Sequence, residues 1–230
     1  MDENTNPKLV DSNIIDCIPQ TEECPLKCAE CYYNGGRFFR TLEKPLIPEI
    51  ADSIGKIVRI NSGHDSNLEK EKVIEVGSRY SKVFYNTSIP NFDFPAPVVF
   101  TCNSTHLILA EHNLKNLMYV RFRANTVNLR EADEAVEYYW IKNGIPIVMT
   151  FMRYYSEENV PNMDSYEYKK HILNPYWMPT TNTIIRIMSR WQNKTVPIHG
   201  VRMCGTLYSS YCADCRNCEF LYYDFFRRNK

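Results

Sequence analysis

The sequence predicts an α/β chain built on a parallel sheet. Short runs rich in β-branched and aromatic residues recur along it, and helical or connecting segments separate them. The sixth run, residues 145–151, is nearly all apolar, as a parallel strand buried on both faces should be. In such sheets ligands sit at the carboxyl ends of the strands, where loops converge and helix amino ends point inward. The residues that follow each run are therefore the first place to look for chemistry.

Residues 1–12 are charged and amide-rich, with no period. The first strand is residues 14–18, stopped by Pro19, and a cysteine-bearing loop follows it directly. Gly35 and Gly36 then break the chain, and residues 48–54 fit a short helix with proline in its first turn and Gly55 after its end. The second strand, residues 56–60, runs into a turn at 61–65. Ser66 with Glu69 three residues later is a capping-box pattern for a helix reaching about Tyr80. Residues 82–88 form the third strand, a proline-rich connection spans 90–97, and 98–102 and 117–122 are the fourth and fifth strands. Asn128 and Glu131 repeat the cap pattern; Leu129, Ala132, Val136 and Tyr139 then recur at helical spacing until Gly144. Residues 154–183, rich in Tyr, Asn and Pro, carry no period and are assigned no element. Residues 184–191 form one more short element. The chain divides into a main domain, 1–200, and a cysteine-rich extension, 201–230.

Lysine plus arginine and aspartate plus glutamate number 27 each in 230 residues. There is thus no global field to concentrate polyanions, and charge does not favour a nucleic-acid partner. The amino-terminal residues are polar and no apolar run approaches the ~20 residues of a membrane helix. The protein is expected to be soluble and cytoplasmic, with no membrane partner. Nine cysteines in that compartment are metal ligands or free thiols rather than disulfides. They cluster: Cys24, Cys28 and Cys31 form one group, Cys204, Cys212, Cys215 and Cys218 another, and Cys17 and Cys102 stand alone.

The first group has C-x3-C-x2-C spacing. Three thiolates hold three irons of a cubane and leave the fourth open to an exogenous ligand, whereas a closed electron-transfer cubane uses four. Zinc and free thiols are the alternatives, but zinc would want a fourth protein ligand and none follows within the loop.

With this loop placed directly after a first strand, the chain resembles radical S-adenosylmethionine enzymes over residues 13–152. The resemblance implies a partial (β/α)6 TIM-like barrel with a small cysteine-rich extension. It implies a 4Fe-4S cluster on Cys24, Cys28 and Cys31 whose open iron is chelated by the amino and carboxylate groups of S-adenosylmethionine. Reductive cleavage would then give methionine and a 5′-deoxyadenosyl radical that abstracts hydrogen from a substrate, with electrons from an external donor of the flavodoxin or ferredoxin type. The sequence departs from the family in two places. Glu30 precedes the last cysteine where an aromatic residue is usual, with Tyr32 and Tyr33 just beyond. The usual Gly-Gly-Glu turn after the second strand is here drawn from Asn61, Ser62, Gly63 and His64. By position, backbone carbonyls of that turn would meet the cofactor's amino group. Asn103, after the fourth strand, would bond its ribose or amino-acid moiety, and Arg123, after the fifth, its carboxylate, which suits a guanidinium fork. Arg121 shares a strand face with Arg123 by the period of two.

Cys212, Cys215 and Cys218 have C-x2-C-x2-C spacing, and Cys204 supplies a fourth thiol. Such a set fits a closed 4Fe-4S cluster or a structural zinc. Many radical S-adenosylmethionine enzymes carry an auxiliary cluster after the barrel, which implies iron and sulfur here. The flanking aromatics, among them Tyr208, Tyr211, Phe220, Tyr222 and Phe225, are expected to pack over the site as the tail folds back.

Cys102 is either a hydrogen donor to a product radical or a small buried apolar residue. His64 could touch cofactor or substrate, while His106, His112, His171 and His199 show no ligand spacing. Tyr154, Tyr155, Tyr166, Tyr168 and Tyr176 belong to a substrate pocket or to the core. The substrate stays open, a peptide or a nucleotide among the choices. The rival readings are a zinc-stabilised binding module and a ferredoxin-like electron carrier.

Overall fold

The computed structural model describes residues 6–28, 31, 43–102, 113–170, 175–192 and 198–230. Seven parallel strands succeed one another across one sheet, which curls into a half-barrel. They are β1 (Ile14–Cys17), β2 (Ile57–Ile60), β3 (Val83–Thr87), β4 (Val98–Cys102), β5 (Leu117–Ala124), β6 (Ile147–Phe151) and β9 (Val201–Met203). Between β6 and β9 lies an antiparallel hairpin, β7 (Tyr166–Lys169) and β8 (Tyr176–Pro179). All six runs expected to be strands are strands. Where six were expected the sheet has seven, because β9 pairs with β6. The cysteine-rich segment 201–230 therefore begins inside the sheet.

The helices are α1 (Ile50–Ser53), α2 (Lys70–Gly77), α3 (Leu129–Ala135), α4 (Thr181–Gln192), α5 (Cys212–Cys215) and α6 (Asn217–Arg228), and α3 runs on as a π-helical segment, Val136–Lys142. The unassigned stretch 154–183 thus holds the hairpin and the start of α4. Its strands are short and half-exposed, so no apolar period marks them.

Alternate residues of each strand feed two cores. On the outer face Val58, Phe100, Val120 and Ile147 pack with Val73 of α2, Tyr139 after α3 and Trp191 of α4. Trp191 Nε1 donates to Asp133 Oδ1 at 3.1 Å and so ties α4 to α3. The β3 to β4 crossover has no helix. Its loop instead buries Phe94, stacked on Tyr85 at 4.8 Å, and Phe92, edge-on to Phe100 at 5.3 Å. On the inner face Ile14, Ile57, Phe84, Val99, Tyr119 and Val148 meet Leu221, Tyr222 and Phe225 of α6. These strand residues lie towards the amino ends, so α6 seals that end of the half-barrel.

Both expected helix caps are spent elsewhere. Helix α2 starts at Lys70 after a left-handed Glu69 (φ 51°) that makes no side-chain cap, and the Ser66 hydroxyl accepts from Asn61 Nδ2 at 3.1 Å. Asn128 precedes α3, but its Oδ1 accepts from Asn125 N at 2.8 Å and its Nδ2 donates to Arg123 O at 2.8 Å. Short polar side chains compete for whichever backbone group is nearest. Here they fasten the loops at the carboxyl ends of β2 and β5.

Candidate functional site

One step of two residues beyond the sealed layer, the inner face turns polar: Asp16, Arg59, Asn86, Thr101, Arg121 and Thr150. Arg59 Nε and Nη2 donate to the Asp16 carboxylate at 2.6 and 3.1 Å, with the two residues 7% and 5% exposed. Burial works against the arginine's charge, but Asp16 overrides it and holds the Arg59 pKa well above its ordinary value. Arg121 donates to Thr101 Oγ1 at 3.3 Å, Asn86 Oδ1 at 3.4 Å and the Tyr119 hydroxyl at 3.3 Å.

A bulge sets which residues of β5 look inward. Val98 pairs with Leu117 but Val99 pairs with Tyr119, so Met118 is an extra residue in β5. A one-residue slip exchanges the faces of a strand. Beyond the bulge Tyr119, Arg121 and Arg123 share the inner face, and both arginines line the site.

Above this layer, at the carboxyl ends of the strands, lies a cavity of about 970 Å³. All seven clustered cysteines line it: Cys24, Cys28 and Cys31 from the loop after β1, and Cys204, Cys212, Cys215 and Cys218 from the segment after β9. The first loop is anchored where Ile18 N donates to Leu46 O at 2.7 Å and Leu46 N returns the bond at 2.9 Å. Left-handed Glu22 (φ 66°) and Lys27 (φ 40°) turn the chain, and Cys31 N donates to Cys28 O at 3.0 Å. Cys28 Sγ lies 3.9 Å from Ser88 Oγ. Burial pushes the Cys24 thiol up to about 11, and the charges of Cys31 and Cys28 add to that shift.

The turn after β2 reaches the same cavity. Asn61, 2% exposed and left-handed (φ 61°), is held by its N–H on Cys17 O at 2.8 Å. Its Oδ1 is buried and accepts no hydrogen bond among the described residues. Ser62, Gly63, His64 and Arg123 also line the cavity, and burial lowers the His64 pKa. The Asp65 carboxylate clamps this turn to the end of β3, accepting from Ser88 N at 2.6 Å, Ser88 Oγ at 2.9 Å and Thr87 Oγ1 at 2.8 Å. Asn103 lies outside the described residues, as do Glu30, Tyr32, Tyr33, Gly35, Gly36, His106, His112 and His171.

Cys204 N donates to Met149 O at 2.8 Å, which sets the thiol at the end of β9. Cys212 and Cys215 bracket α5, and Cys218 in the first turn of α6 has its Sγ 3.3 Å from the Tyr119 hydroxyl. Depth raises the Cys212 thiol to about 12 and raises that of Cys204, whose exposed surface faces the cavity; each also interacts electrostatically with the other thiols of its group.

Cys102 and three of the five tyrosines sit away from the cavity. Cys102 points to the outer core, fully buried, with its thiol raised to about 12 by burial, and it does not line the cavity. Of the tyrosines, Tyr155 and Tyr176 line the cavity, Tyr154 and Tyr166 pack on each other at 5.5 Å, and Tyr168 is exposed beside Trp177. The tail aromatics divide: Tyr222 and Phe225 fill the inner apolar layer, against which Cys212 and Cys218 pack, while Tyr208 and Tyr211 line the cavity and Tyr208 is 93% exposed.

Sequence reasoning passed over Lys8, Asp16, Arg59, Tyr119 and Arg153. For two of these a signal existed: Arg59 interrupts Ile-Val-Arg-Ile and Asp16 interrupts Ile-Ile-Asp-Cys, and a charge inside a buried strand needs a partner.

Among the described residues, no three of His, Cys, Asp and Glu converge closely enough to hold a metal ion. The seven thiols face one space without being drawn together in it. No described helix is long and apolar enough to cross a membrane. No family model, no curated protein and no solved structure matches the chain.

Proposed function

We propose that this protein is a radical S-adenosylmethionine enzyme that abstracts hydrogen from a substrate held in the half-barrel. The observation that carries the reading is the coincidence of an open thiol set with the strand ends. The C-x3-C-x2-C loop leaves β1 of a parallel half-barrel, and Cys24, Cys28 and Cys31 all line the cavity there. Cys24, Cys28 and Cys31 supply three thiols from one loop, the number that holds an iron–sulfur cubane with one open iron. The buried, unpartnered Oδ1 of Asn61 is an acceptor suited to an ammonium group, and Arg123 is a fork suited to a carboxylate.

In this reading Cys24, Cys28 and Cys31 hold the 4Fe-4S cluster, and residues 61–64 with Arg123 and Asn103 hold S-adenosylmethionine. Once bound, that pair supplies reductive carbon–sulfur cleavage to a 5′-deoxyadenosyl radical. The chain itself orients the cofactor and excludes water: α6 closes one end, and the Arg59–Asp16 pair with Arg121 forms a rigid polar floor. Cys204, Cys212, Cys215 and Cys218 hold a second 4Fe-4S cluster or a zinc ion, with Tyr119 bonded to Cys218. An external flavodoxin- or ferredoxin-type donor supplies electrons in the cytoplasm.

The test is product formation. Anaerobically reconstituted protein should be brown and carry about eight irons per chain, or about four if the tail holds zinc. Given dithionite and S-adenosylmethionine it should release 5′-deoxyadenosine, and Cys28→Ala should abolish that product. A colourless zinc protein supports the binding-module reading, and a brown protein that leaves S-adenosylmethionine intact supports an electron carrier.

A further inference from the structure

Arg121 carries a charge that no carboxylate answers. In the floor of the cavity it donates to Thr101 Oγ1 at 3.3 Å, Asn86 Oδ1 at 3.4 Å and the Tyr119 hydroxyl at 3.3 Å. Among the described residues it forms no ion pair, whereas Arg59 in the same layer has Asp16. Its acceptors are held in turn: Asn86 Nδ2 donates to Ile60 O at 2.7 Å, which leaves Oδ1 to the arginine. A cation drawn out of water onto neutral partners alone costs stability unless an anion faces it.

A relay of two bonds leads from Arg121 to a sulfur. Tyr119 is 1% exposed and accepts from Arg121, and a guanidinium can only donate. The buried hydroxyl's own proton then needs an acceptor, and Cys218 Sγ lies 3.3 Å away. The bond therefore runs from the Tyr119 hydroxyl to the Cys218 sulfur. The bulge at Met118 makes the relay possible, because it turns Tyr119 and Arg121 to the inner face together. Cys218 is also held through its backbone. Asn217, one residue before it and 5% exposed, donates from Nδ2 to Met203 O at 2.6 Å and so ties the first turn of α6 to the end of β9, where Cys204 follows.

We propose that Tyr119 and Arg121 are positioning residues of the tail thiol group: the tyrosine hydroxyl donates to the Cys218 sulfur, and the arginine behind it balances the negative charge of a metal–thiolate group formed there. This rests on the reading above that Cys204, Cys212, Cys215 and Cys218 hold a metal. Four thiolates outweigh the charge of a zinc ion, and a cubane held by four thiolates is likewise anionic. A hydrogen bond to a ligating atom fixes its orientation and tunes what it gives to the metal.

Cobalt(II) is the probe, added anaerobically to metal-free protein that carries Cys28→Ala, which breaks the first thiol set and leaves the tail group to report. This parent should show the sulfur-to-cobalt charge-transfer band of a tetrahedral thiolate site, and Cys218→Ala should diminish it. Tyr119→Phe removes one oxygen. It should weaken cobalt binding roughly 10–100-fold and move the band to longer wavelength, since a sulfur that loses its hydrogen bond gives up an electron more easily. Arg121→Met should weaken binding as well, and Arg121→Lys, which keeps the charge, should recover part of the loss. Unchanged affinity and band in Tyr119→Phe overturn the proposal and spare the metal reading. Weaker binding with an unmoved band gives Tyr119 a packing role alone and overturns it too. A parent without the band, or a band that Cys218→Ala leaves intact, defeats the reading of the four thiols as one metal site and the proposal with it.

Discussion

The two ends of the half-barrel are cut from the same strands, two residues apart. At the amino ends Ile14, Ile57, Phe84 and Val99 step inward and α6 lies across them. One step on, Asp16, Arg59, Asn86 and Thr101 occupy the same face and leave a cavity above. The sealed end gains stability from apolar area removed from water, roughly 25 cal/mol for each Å². The open end spends stability on buried charge that only a second charge can offset. The half-barrel thus keeps its hydrophobic anchor and its polar floor on one surface but in separate layers.

The strongest attempt to break that contrast is at the floor. Asp16→Ala leaves Arg59 buried without its partner and should cost about 3–5 kcal/mol in denaturant unfolding. Replacing both, Asp16→Leu with Arg59→Met, should recover most of that loss, since apolar residues of similar volume substitute well for a buried pair. If the double variant is as unstable as Asp16→Ala, the floor is structural in the same sense as the sealed end. At that end Leu221, 1% exposed, should cost about 2–5 kcal/mol on truncation to alanine through lost transfer energy and the cavity left behind. A fourth variant tests the wall between the faces. Cys102→Ser puts a hydroxyl into the outer core and should cost about 1–3 kcal/mol while leaving the 5′-deoxyadenosine yield unchanged. A fall in yield without a fall in stability would bring Cys102 back into the chemistry.

Much of the scaffold was legible in the chain. Runs such as Val98-Val99-Phe100 can bury only as central strands, and the order of runs and connections fixed a parallel sheet whose loops converge. The cysteine groups were legible from spacing, though not that both would face one cavity. Their convergence depends on β9 joining β6, and three residues of strand carry too little pattern to announce it. The inward aim of Arg121 and Arg123 follows from a bulge of one residue, Met118, and a one-residue slip leaves no trace in composition or period. Ser66 and Asn128 look like caps because the residue types that cap a helix also fasten a loop, and the tertiary neighbour decides between them. Lys8 and Arg153 carry no pattern in the sequence, and only the fold puts both on the wall of the cavity.

The lid at the base of the half-barrel has a consequence for manufacture. Helix α6 follows every strand of the described sheet in the chain, so Phe84, Val99 and Val148 wait for a partner that the ribosome delivers after them. At ~5–20 residues per second the 25 residues from Met203 to Arg228 take on the order of seconds to add. Until then the inner apolar layer lacks the cover that α6 gives it. Only when α6 docks does the polar layer above it gain a packed base.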